Sequence, residues 1–302
     1  CKVYICYRVD KPKSTKKEEG SAALEPGETM VAMPEDREKT NPRKRYRIVN
    51  KSAGYLLRFR RVPRFGGIEN ICNDETSPCP ALVILYARLG LHRYNLLQGK
   101  NLELSSVKKF NKSTHSAASS YHITLDAIAL QPFETSVYEI SYGKLALTCR
   151  IARPLGETTI DEIKRCSSSL YKNFSPINTM PEWPPENPFE HSKLLSSYEL
   201  QDNDWIRLYL ELAVATTNRG TVMVHDDLSN LMIVQVAIDT TPQDVDLVFN
   251  RTNFAIVYIM YKDSCEARVG KDVDRVAIVR RAFDEQWGCF SLVGKTLSLP
   301  KE

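Results

Sequence analysis

The histidines are the residues best suited to catalysis or metal binding, and in this sequence they stand apart from one another. They lie at positions 92, 115, 122, 191 and 225. No two have the i, i+4 spacing with which a helix presents a metal-binding pair, and none lies near a pair of cysteines. We therefore expect His122, facing outward on a predicted strand, and His115, in a predicted loop, to be ordinary surface residues.

The cysteines are the second candidates for chemistry. They lie at positions 1, 6, 72, 79, 149, 166, 265 and 289 and form no Cys-x-x-Cys motif. This scatter favours buried or reduced thiols, with a Cys72–Cys79 pair or a metal site as the alternative. Cys149 would need a base and an oxyanion hole to act as a nucleophile, and its inward position on a predicted strand favours a place in the core.

Carboxylates and phosphate-binding loops complete the search for reactive residues. Asp202, Asp204, Asp226 and Asp227 lack the DxDxDG pattern of a cation-binding loop and are typical of turns and caps. The sequence contains no GxxxxGKS/T, GxGxxG or GxSxG motif. It therefore predicts no catalytic residue, no cofactor-binding residue and no metal ligand. We expect a protein that is not an enzyme, with no cofactor and no small-molecule substrate.

Charge is unevenly distributed along the chain of 302 residues. Residues 1–61 carry 16 Lys or Arg and 8 Asp or Glu, so this arm is strongly basic. A basic arm can attract nucleic acid, acidic proteins or an import receptor, but its composition is more typical of a solvated, partly disordered segment. Arg43–Arg47 is a candidate nuclear import signal. We expect a cytoplasmic or nuclear protein whose partner is not nucleic acid.

The elements that position these residues begin with one strongly helical stretch, Cys79–Leu97. Gly90 in the middle of this helix costs about 1 kcal/mol relative to alanine, which predicts a bend or the close approach of a sheet. No apolar run approaches the roughly 20 residues that cross a bilayer, so no membrane association is expected. The apolar residues of the stretch fall on the i, i+3, i+4 rows of one wide face: Leu82, Leu85, Tyr86, Leu89 and Leu96.

Strands are predicted on both sides of this helix, because apolar and polar residues alternate there. Residues 2–9 form the first. A strand beginning at Leu102 changes phase near Ser105–Ser106, which predicts a bulge. The inward residues of the next three strands are Tyr121, Ile123 and Leu125; Phe133, Thr135 and Val137; and Leu145, Leu147, Cys149 and Ile151.

A proline-rich segment follows these strands. Pro181-x-x-Pro184 and Pro185-x-x-Pro188 both match the spacing of a polyproline II ligand, but no arginine beside them would orient a partner. We favour a stiff connector in which Trp183 and Phe189 are held against a neighbouring surface.

The last third of the chain is predicted to be rich in strands. Trp205–Val214 alternates cleanly and is predicted as a strand. Leu231–Ile238 and Phe254–Tyr261 are apolar on nearly both faces, as central strands are. Val276–Phe283 and Cys289–Val293 flank a hairpin signal. No identity repeat is visible, although this second lobe can echo the first in shape.

Several segments resemble a known family. They are Gly90–Gly99, Leu147–Arg153, Leu200–Leu212, Ala255–Ile259 and Arg275–Arg281. Over residues 80–296 the chain resembles a large plant family of uncharacterised proteins in the cystatin/monellin superfamily, one of which is named for an embryo-defective phenotype. The resemblance implies a plant protein with a cystatin-like fold, connected with embryo development, and it implies no biochemical activity.

The layout also resembles that of the cystatins, through Ala87–Asn95, Leu102–Leu104, Tyr121–Ala127 and Phe133–Val137. Cystatins inhibit papain-like proteases with an N-terminal glycine, a Gln-x-Val-x-Gly loop and a Pro-Trp hairpin. In this chain the loop at 112–120 has no Gln-x-Val-x-Gly and the turn at 141–144 has no Pro-Trp. The resemblance places a candidate protein-contact edge at Gly66, Gly67, Ser116, Ala117, Tyr142 and Gly143.

The predicted fold class is α+β: a cystatin-like helix packed on a curved antiparallel sheet, plus a second β-rich lobe. The predicted parts are a basic, partly disordered N-terminal arm (1–61), a cystatin-like domain (62–153), a proline-rich connector (154–192) and the second lobe (193–302). The predicted function is that of a non-catalytic plant protein, an interaction scaffold whose partner is another protein. The alternatives are a cystatin-like inhibitor of papain-like cysteine proteases and an enzyme with a pocket between the lobes.

Overall fold

The computed structural model describes a sheet of ten strands and the two helices that pack on it. The described residues are 3–8, 67–73, 76–113, 116–128, 130–157, 180–190, 204–219, 228–240, 254–265, 273–284 and 289–298. In chain order the elements are β1 (Val3–Arg8), β2 (Gly67–Ile71), α1 (Ala81–Gln98), β3 (Leu104–Ser113), β4 (Ser120–Ala127), β5 (Leu130–Glu139), β6 (Leu145–Pro154), α2 (Asp204–Thr217), β7 (Leu231–Thr240), β8 (Phe254–Asp263), β9 (Val273–Asp284) and β10 (Cys289–Ser298).

The strands form one antiparallel sheet in the order β1-β7-β8-β9-β10-β6-β5-β4-β3-β2. At its centre β6 pairs with β10, and Leu147 lies opposite Leu292. The sheet therefore runs without interruption between the predicted cystatin-like domain and the predicted second lobe. The α+β class and the large antiparallel sheet are confirmed.

Helix α1 packs on the first half of the sheet as its apolar spacing predicts. Leu85, Tyr86 and Leu89 are buried in a core that they share with inward residues of β3 to β10. A Cβ added at Gly90 would lie 2.6 Å from the Cβ of Thr135 on β5, a separation that real Cβ atoms do not show. The glycine thus permits a close approach between helix and sheet, which confirms one of the two predictions made for it.

The strands that follow α1 are confirmed, but Ile151, predicted to face inward, is half-buried, because a register shift between β5 and β6 makes Ala152 the buried residue instead. Tyr121, Ile123 and Leu125 are buried and alternate with half-buried residues along β4. The bulge predicted near Ser105–Ser106 appears as a register shift between Leu104 and Ser106 in the pairing of β3 with β4. Inward alternation is a reliable signal here because one face of each strand packs against the helix.

The strand predicted at Trp205–Val214 is wrong, because these residues belong to helix α2. Nearly every side of this helix is buried, including Tyr209 (0% exposed) and Glu211 (7%). A helix surrounded by protein has no polar face to mark the 3.6-residue period, so its sequence can alternate like a strand. The better signal was composition, since Leu, Ala, Glu and Arg favour helices and the stretch lacks glycine and proline.

The proline-rich segment 180–190 covers the face of the sheet opposite the helices. Phe189 is buried there against Tyr258 and Ile278, and Trp183 packs on the same cluster. The Trp183 ring contacts the Tyr258 ring edge-on, with 5.9 Å between the ring centres. The predicted anchoring of Trp183 and Phe189 to a neighbouring surface is confirmed.

The two helices also contact each other. Arg88 Nη1 of α1 lies 2.6 Å from Glu211 Oε2 of α2, and Arg88 Nη2 lies 3.1 Å from Asp204 Oδ2. In the described part of the chain, neither helix combines the length and hydropathy needed to cross a membrane. Several predictions lie outside the described residues: the disorder of the arm after β1, the import signal at Arg43–Arg47, His115 and Gly66.

Candidate functional site

The predicted contact residues that the structure describes lie at one end of the sheet. Gly67 begins β2 opposite Ser113, the last residue of β3. Ser116 and Ala117 lie in the loop between β3 and β4, and Tyr142 and Gly143 lie in the turn between β5 and β6. Because neighbouring strands are about 4.8 Å apart, Gly67 and the β5–β6 turn are separated by roughly 14 Å. We call this end of the sheet the loop edge.

The β5–β6 turn presents apolar surface at the loop edge. Ile140 is 43% exposed and Tyr142 is 53% exposed. Gly143 has a φ of 72°, a left-handed conformation that glycine adopts without strain. A Cβ at Gly143 would meet no atom within 4 Å, so the glycine serves the shape of the turn and leaves its tip open to a partner.

The base of this turn is fixed by Glu139, the last residue of β5. Its side chain is only 1% exposed. The hydroxyl of Tyr86 on α1 donates to Glu139 Oε1 at 2.9 Å. The backbone N–H of Ser119, in the β3–β4 loop, donates to Oε2 at 2.9 Å, and the backbone N–H of Glu139 donates to the Ser119 carbonyl at 3.0 Å. One carboxylate therefore ties both edge loops to helix α1.

Arg219, just beyond α2, supplies the opposite charge. Its Nη1 donates to Glu139 Oε2 at 2.9 Å, its Nη2 donates to Glu139 Oε1, and Nη2 also donates to the Tyr86 hydroxyl at 2.7 Å. The guanidinium carbon lies 5.2 Å from the centre of the Tyr142 ring. We call Tyr86, Glu139 and Arg219 the edge clamp, because they join both helices to the loop edge.

The electrostatics of the edge clamp suit a structural role. Burial, followed by the charge of Glu139, raises the pKa of Tyr86 well above its ordinary value, and the same two causes raise the pKa of Tyr121 to about 12. Burial is the largest influence on the pKa of Arg219 and acts to lower it, but the hydrogen bond to Glu139 and the electrostatic attraction of Tyr86, Glu139 and Tyr121 together outweigh burial and raise the pKa. The tyrosines stay neutral, the arginine stays charged, and the Glu139 oxygens are occupied, so the cluster holds loops in place.

Glu139, Arg219 and Ile140 are candidate functional residues that the sequence did not predict. For Glu139 a signal existed: it continues the inward series Phe133, Thr135, Val137, and a carboxylate in such a series requires a buried partner. For Arg219 no local signal existed, because its place depends on how α2 meets α1. Ile140 follows the strand directly and was overlooked beside the tyrosine of the turn.

The prediction that His122 is an ordinary surface residue is wrong. Its Nδ1 lies 2.6 Å from Ser136 Oγ, and its ring contacts the Tyr138 ring edge-on at 6.0 Å. Burial lowers the pKa of His122 to about 4, so the ring is neutral at physiological pH. The residue faces away from the helices, as predicted, but neighbouring side chains leave it half-buried. Ser136 is fully buried, so its hydroxyl is not open to a substrate.

Metal and thiol chemistry find little support in the described residues. Cys149 is fully buried, which confirms its predicted place in the core. Cys72 and Cys79 are half-buried and are not joined in a disulfide. Within the ranges that the structure describes, no three His, Cys, Asp or Glu side chains are grouped closely enough to hold a metal ion.

The chain is similar in sequence to several known plant proteins. The family model described as Protein MS5 matches residues 180–292. The UPF0725 protein EMB2204 of Arabidopsis thaliana is 43% identical over 225 residues, which cover 72% of this chain and 67% of the relative. The UPF0725 protein At3g25080 of Arabidopsis thaliana is 51% identical over 172 residues, which cover 56% of this chain and 92% of the relative.

A solved structure agrees with this relationship. The crystal structure of MS5 from Brassica napus is similar to this chain with a TM-score of 0.56 and 29% sequence identity, covering 74% of this chain and 100% of that one. The predicted likeness to a plant family of uncharacterised proteins is confirmed, and EMB2204 is its embryo-defective relative. The chain belongs to the UPF0725 family of plant proteins.

Proposed function

We propose that this chain is a non-catalytic protein that binds another protein through its loop edge. The observation that carries the proposal is the exposure of Ile140 and Tyr142 on a turn whose base is fixed by the buried edge clamp. An apolar residue and an aromatic residue side by side are typical anchors of a protein interface. We expect the partner to offer a pocket for the Tyr142 ring.

The edge clamp supports this proposal energetically. A binding loop that is mobile before association loses conformational freedom on binding, and this loss weakens affinity. Here Glu139 bonds to the β3–β4 loop through Ser119 and leads directly into the β5–β6 turn, so both loops are ordered before a partner arrives. Arg219 beneath the Tyr142 ring further restricts the orientation of that side chain.

The experiment compares two double variants in affinity capture from plant extracts, with the bound proteins quantified. Ile140→Ser/Tyr142→Ser removes the apolar tip of the loop edge. Met232→Ser/Phe254→Ser is the matched control, because both of its positions are 44% exposed on the other half of the sheet. Surface changes of this kind alter stability by about 0.5 kcal/mol or less, so both proteins are expected to fold.

We expect the first variant to capture at least about tenfold less protein than the wild type captures. The control should capture as much as the wild type. Equal capture by both variants would show that the loop edge is not the binding surface. If both variants lost the captured protein, the contact would not be specific to the loop edge, and this outcome would contradict the proposal.

A second candidate function is cystatin-like inhibition of papain-like cysteine proteases. The observation that favours it is that Gly67, the β3–β4 loop and the β5–β6 turn lie along one end of the sheet. Three segments in a row are the arrangement that a cystatin inserts into a protease cleft, although the Gln-x-Val-x-Gly and Pro-Trp motifs are replaced here.

Titration of the full chain against papain, with residual peptidase activity as the readout, tests this candidate. Inhibition that reaches completion at one inhibitor per enzyme, and that weakens in Tyr142→Ser, is the supporting result. Full peptidase activity at a large excess of folded protein would eliminate the inhibitor and leave the interaction scaffold.

A further inference from the structure

A second feature of the molecule lies at the far end of α1 from the edge clamp. A cavity of about 850 Å³ opens between the last turns of α1, the connection to β3 and the first turns of α2. This volume falls within the range of about 300 to 1,000 Å³ typical of small-molecule sites. The described residues of its lining that bear on a ligand include Arg88, His92, Leu96, Lys100, Asp204 and Trp205.

One part of the lining is apolar and aromatic. Leu96 and Leu208 come from the two helices, and the His92 ring stacks at 6.2 Å from the Trp205 ring with 17° between their planes. His92 Nε2 lies 2.9 Å from the Tyr209 hydroxyl. Burial, followed by the charge of Arg281, lowers the pKa of His92 to about 3, so the His92 ring is uncharged at neutral pH.

The charged part of the lining is balanced. Among the described residues around the cavity, Arg88 and Lys100 are cations and Glu103 and Asp204 are anions. Arg88 already contacts Asp204 and Glu211, so its charge is satisfied within the protein. The Asp204 side chain is 77% exposed and can accept further bonds. A lining without net charge disfavours polyanions such as nucleotides, which require uncompensated cations.

We infer that this cavity binds a small zwitterion with an apolar body, of the size of an amino acid or a dipeptide. The ammonium group would bind the Asp204 carboxylate at the start of α2. The carboxylate would bind Lys100, in the connection that follows α1, whose Nζ lies 3.5 Å from the Tyr94 hydroxyl. The apolar body would pack on Leu96 and the aromatic wall. This site is independent of the loop edge and adds a ligand to the proposed protein-binding role.

Titration calorimetry on the full chain with the dipeptide Phe-Leu tests the inference. Leu96→Trp fills the cavity, whereas Leu97→Trp places the same side chain one residue further on, at a position that is 40% exposed and outside the lining. We expect Leu96→Trp to weaken Phe-Leu binding at least about tenfold and Leu97→Trp to leave it unchanged. Circular dichroism is the control that tests whether both variants are folded.

Asp204→Asn provides a test that does not depend on filling the cavity. Asparagine serves as well as aspartate at the start of a helix, so the fold is retained while the charge is removed. Phe-Leu should then bind about tenfold more weakly, whereas N-acetyl-Phe-Leu, which has no ammonium group, should bind the wild type and the variant equally weakly.

Two results would overturn the inference. One is the absence of heat from Phe-Leu at millimolar concentration with the folded wild type. The other is equal affinity of the wild type, Leu96→Trp and Asp204→Asn, which would show that Phe-Leu binds elsewhere. Ile140→Ser/Tyr142→Ser is expected to bind Phe-Leu normally, so failure of the cavity and failure of the loop edge are distinguishable.

Discussion

Helix α1 packs on one half of the sheet, which consists of β2 and the four strands β3 to β6. Helix α2 packs on the other half, which consists of β1 and the four strands β7 to β10. The helices correspond in sequence as well. Leu85-Tyr86 in α1 has the same place as Leu208-Tyr209 in α2, each pair beginning four residues after the start of its helix. A helix followed by four strands thus occurs twice in the chain, although the two copies share no repeat that is visible as sequence identity.

The two corresponding tyrosines have different partners. Tyr86 bonds to the charged pair Glu139 and Arg219, next to the exposed β5–β6 turn. Tyr209 bonds to His92, which lines the cavity between the helices, and to Arg281 on β9, with no carboxylate among these partners. Both side chains are fully buried. A shared helix–sheet scaffold thus fixes where a buried hydroxyl lies, while residues from both halves decide what that hydroxyl bonds to.

The outer faces of the two halves differ as well. On the second half, Phe189 and Trp183 cover an apolar surface. On the first half, the outer face is polar, with Arg153 Nε 2.8 Å from Glu134 Oε1 and His122 beside Ser136. Four changes test these differences, beginning with the one expected to have the largest effect.

Glu139→Ala should destabilise the protein most. It leaves the Arg219 charge, whose side chain is 10% exposed, without its carboxylate, and removal of one partner from a buried ion pair costs about 3 to 5 kcal/mol. Urea unfolding monitored by circular dichroism measures the change. The control is Asp274→Ala in the second half, where Lys262 and Asp274 are exposed and 3.7 Å apart; it should cost about 0.5 kcal/mol or less. Equal costs would refute the edge clamp as a buried structural pair.

Phe189→Ala should have the next largest effect, because it uncovers the apolar outer face of the second half. Truncation of a buried phenylalanine costs about 3 kcal/mol or more. Glu190→Ala, at the adjacent exposed position, is the matched control and should be neutral in the same urea experiment. A neutral Phe189→Ala would show that segment 180–190 lies on the sheet without stabilising it.

Gly90→Ala separates helix propensity from packing. Propensity alone would stabilise α1 by about 1 kcal/mol, but the added Cβ would collide with Thr135, and overpacking costs about 1 to 3 kcal/mol. We expect net destabilisation in a thermal unfolding experiment. Ala213→Gly, at the corresponding position of α2, should also destabilise, by about 1 kcal/mol. A stabilising Gly90→Ala would mean that the helix and β5 can move apart freely.

The last effect, which grows gradually as the pH falls, is expected from acid. The folded pKa of His122 is about 4, below the unfolded value of 6.5, so between these values the unfolded chain binds a proton that the folded chain does not. Stability should therefore fall as pH decreases from 6.5 toward 4. The free energy of unfolding of His122→Asn should depend less steeply on pH in that window than that of the wild type. Parallel pH profiles would contradict the enclosure of His122.

The first half of the sheet could be predicted well because its strands alternate and its helix has one wide apolar face. Gly90 indicated either a bend or the close approach of a sheet, since a costly glycine requires a local reason, and the structure shows the second, with β5 as the strand. Helix α2 could not be predicted by periodicity, because burial on nearly every side removes the polar positions that mark the helical period.

The continuity of the sheet and the edge clamp depend on contacts between distant parts of the chain. The pairing of β6 with β10 joins residues about 145 positions apart, and strands that are apolar on both faces carry no register signal. Arg219 reaches Glu139 across 80 positions. The structure places the described residues of the predicted contact edge at one end of the sheet, whereas the residues that hold these loops could not be predicted because they depend on the packing of the two helices.

The central claim is that the loop edge of the first half is the surface that meets a protein partner. The most direct measurement replaces Tyr142 with a photoreactive phenylalanine analogue, irradiates the full chain in plant extract and identifies the covalent adducts by mass spectrometry. The same analogue at Phe254, which is 44% exposed on the second half, is the reference. If the loop edge binds a protein, the analogue at position 142 should give a defined protein adduct that the analogue at position 254 does not give. The same adducts from both positions, or adducts from position 254 alone, would contradict it.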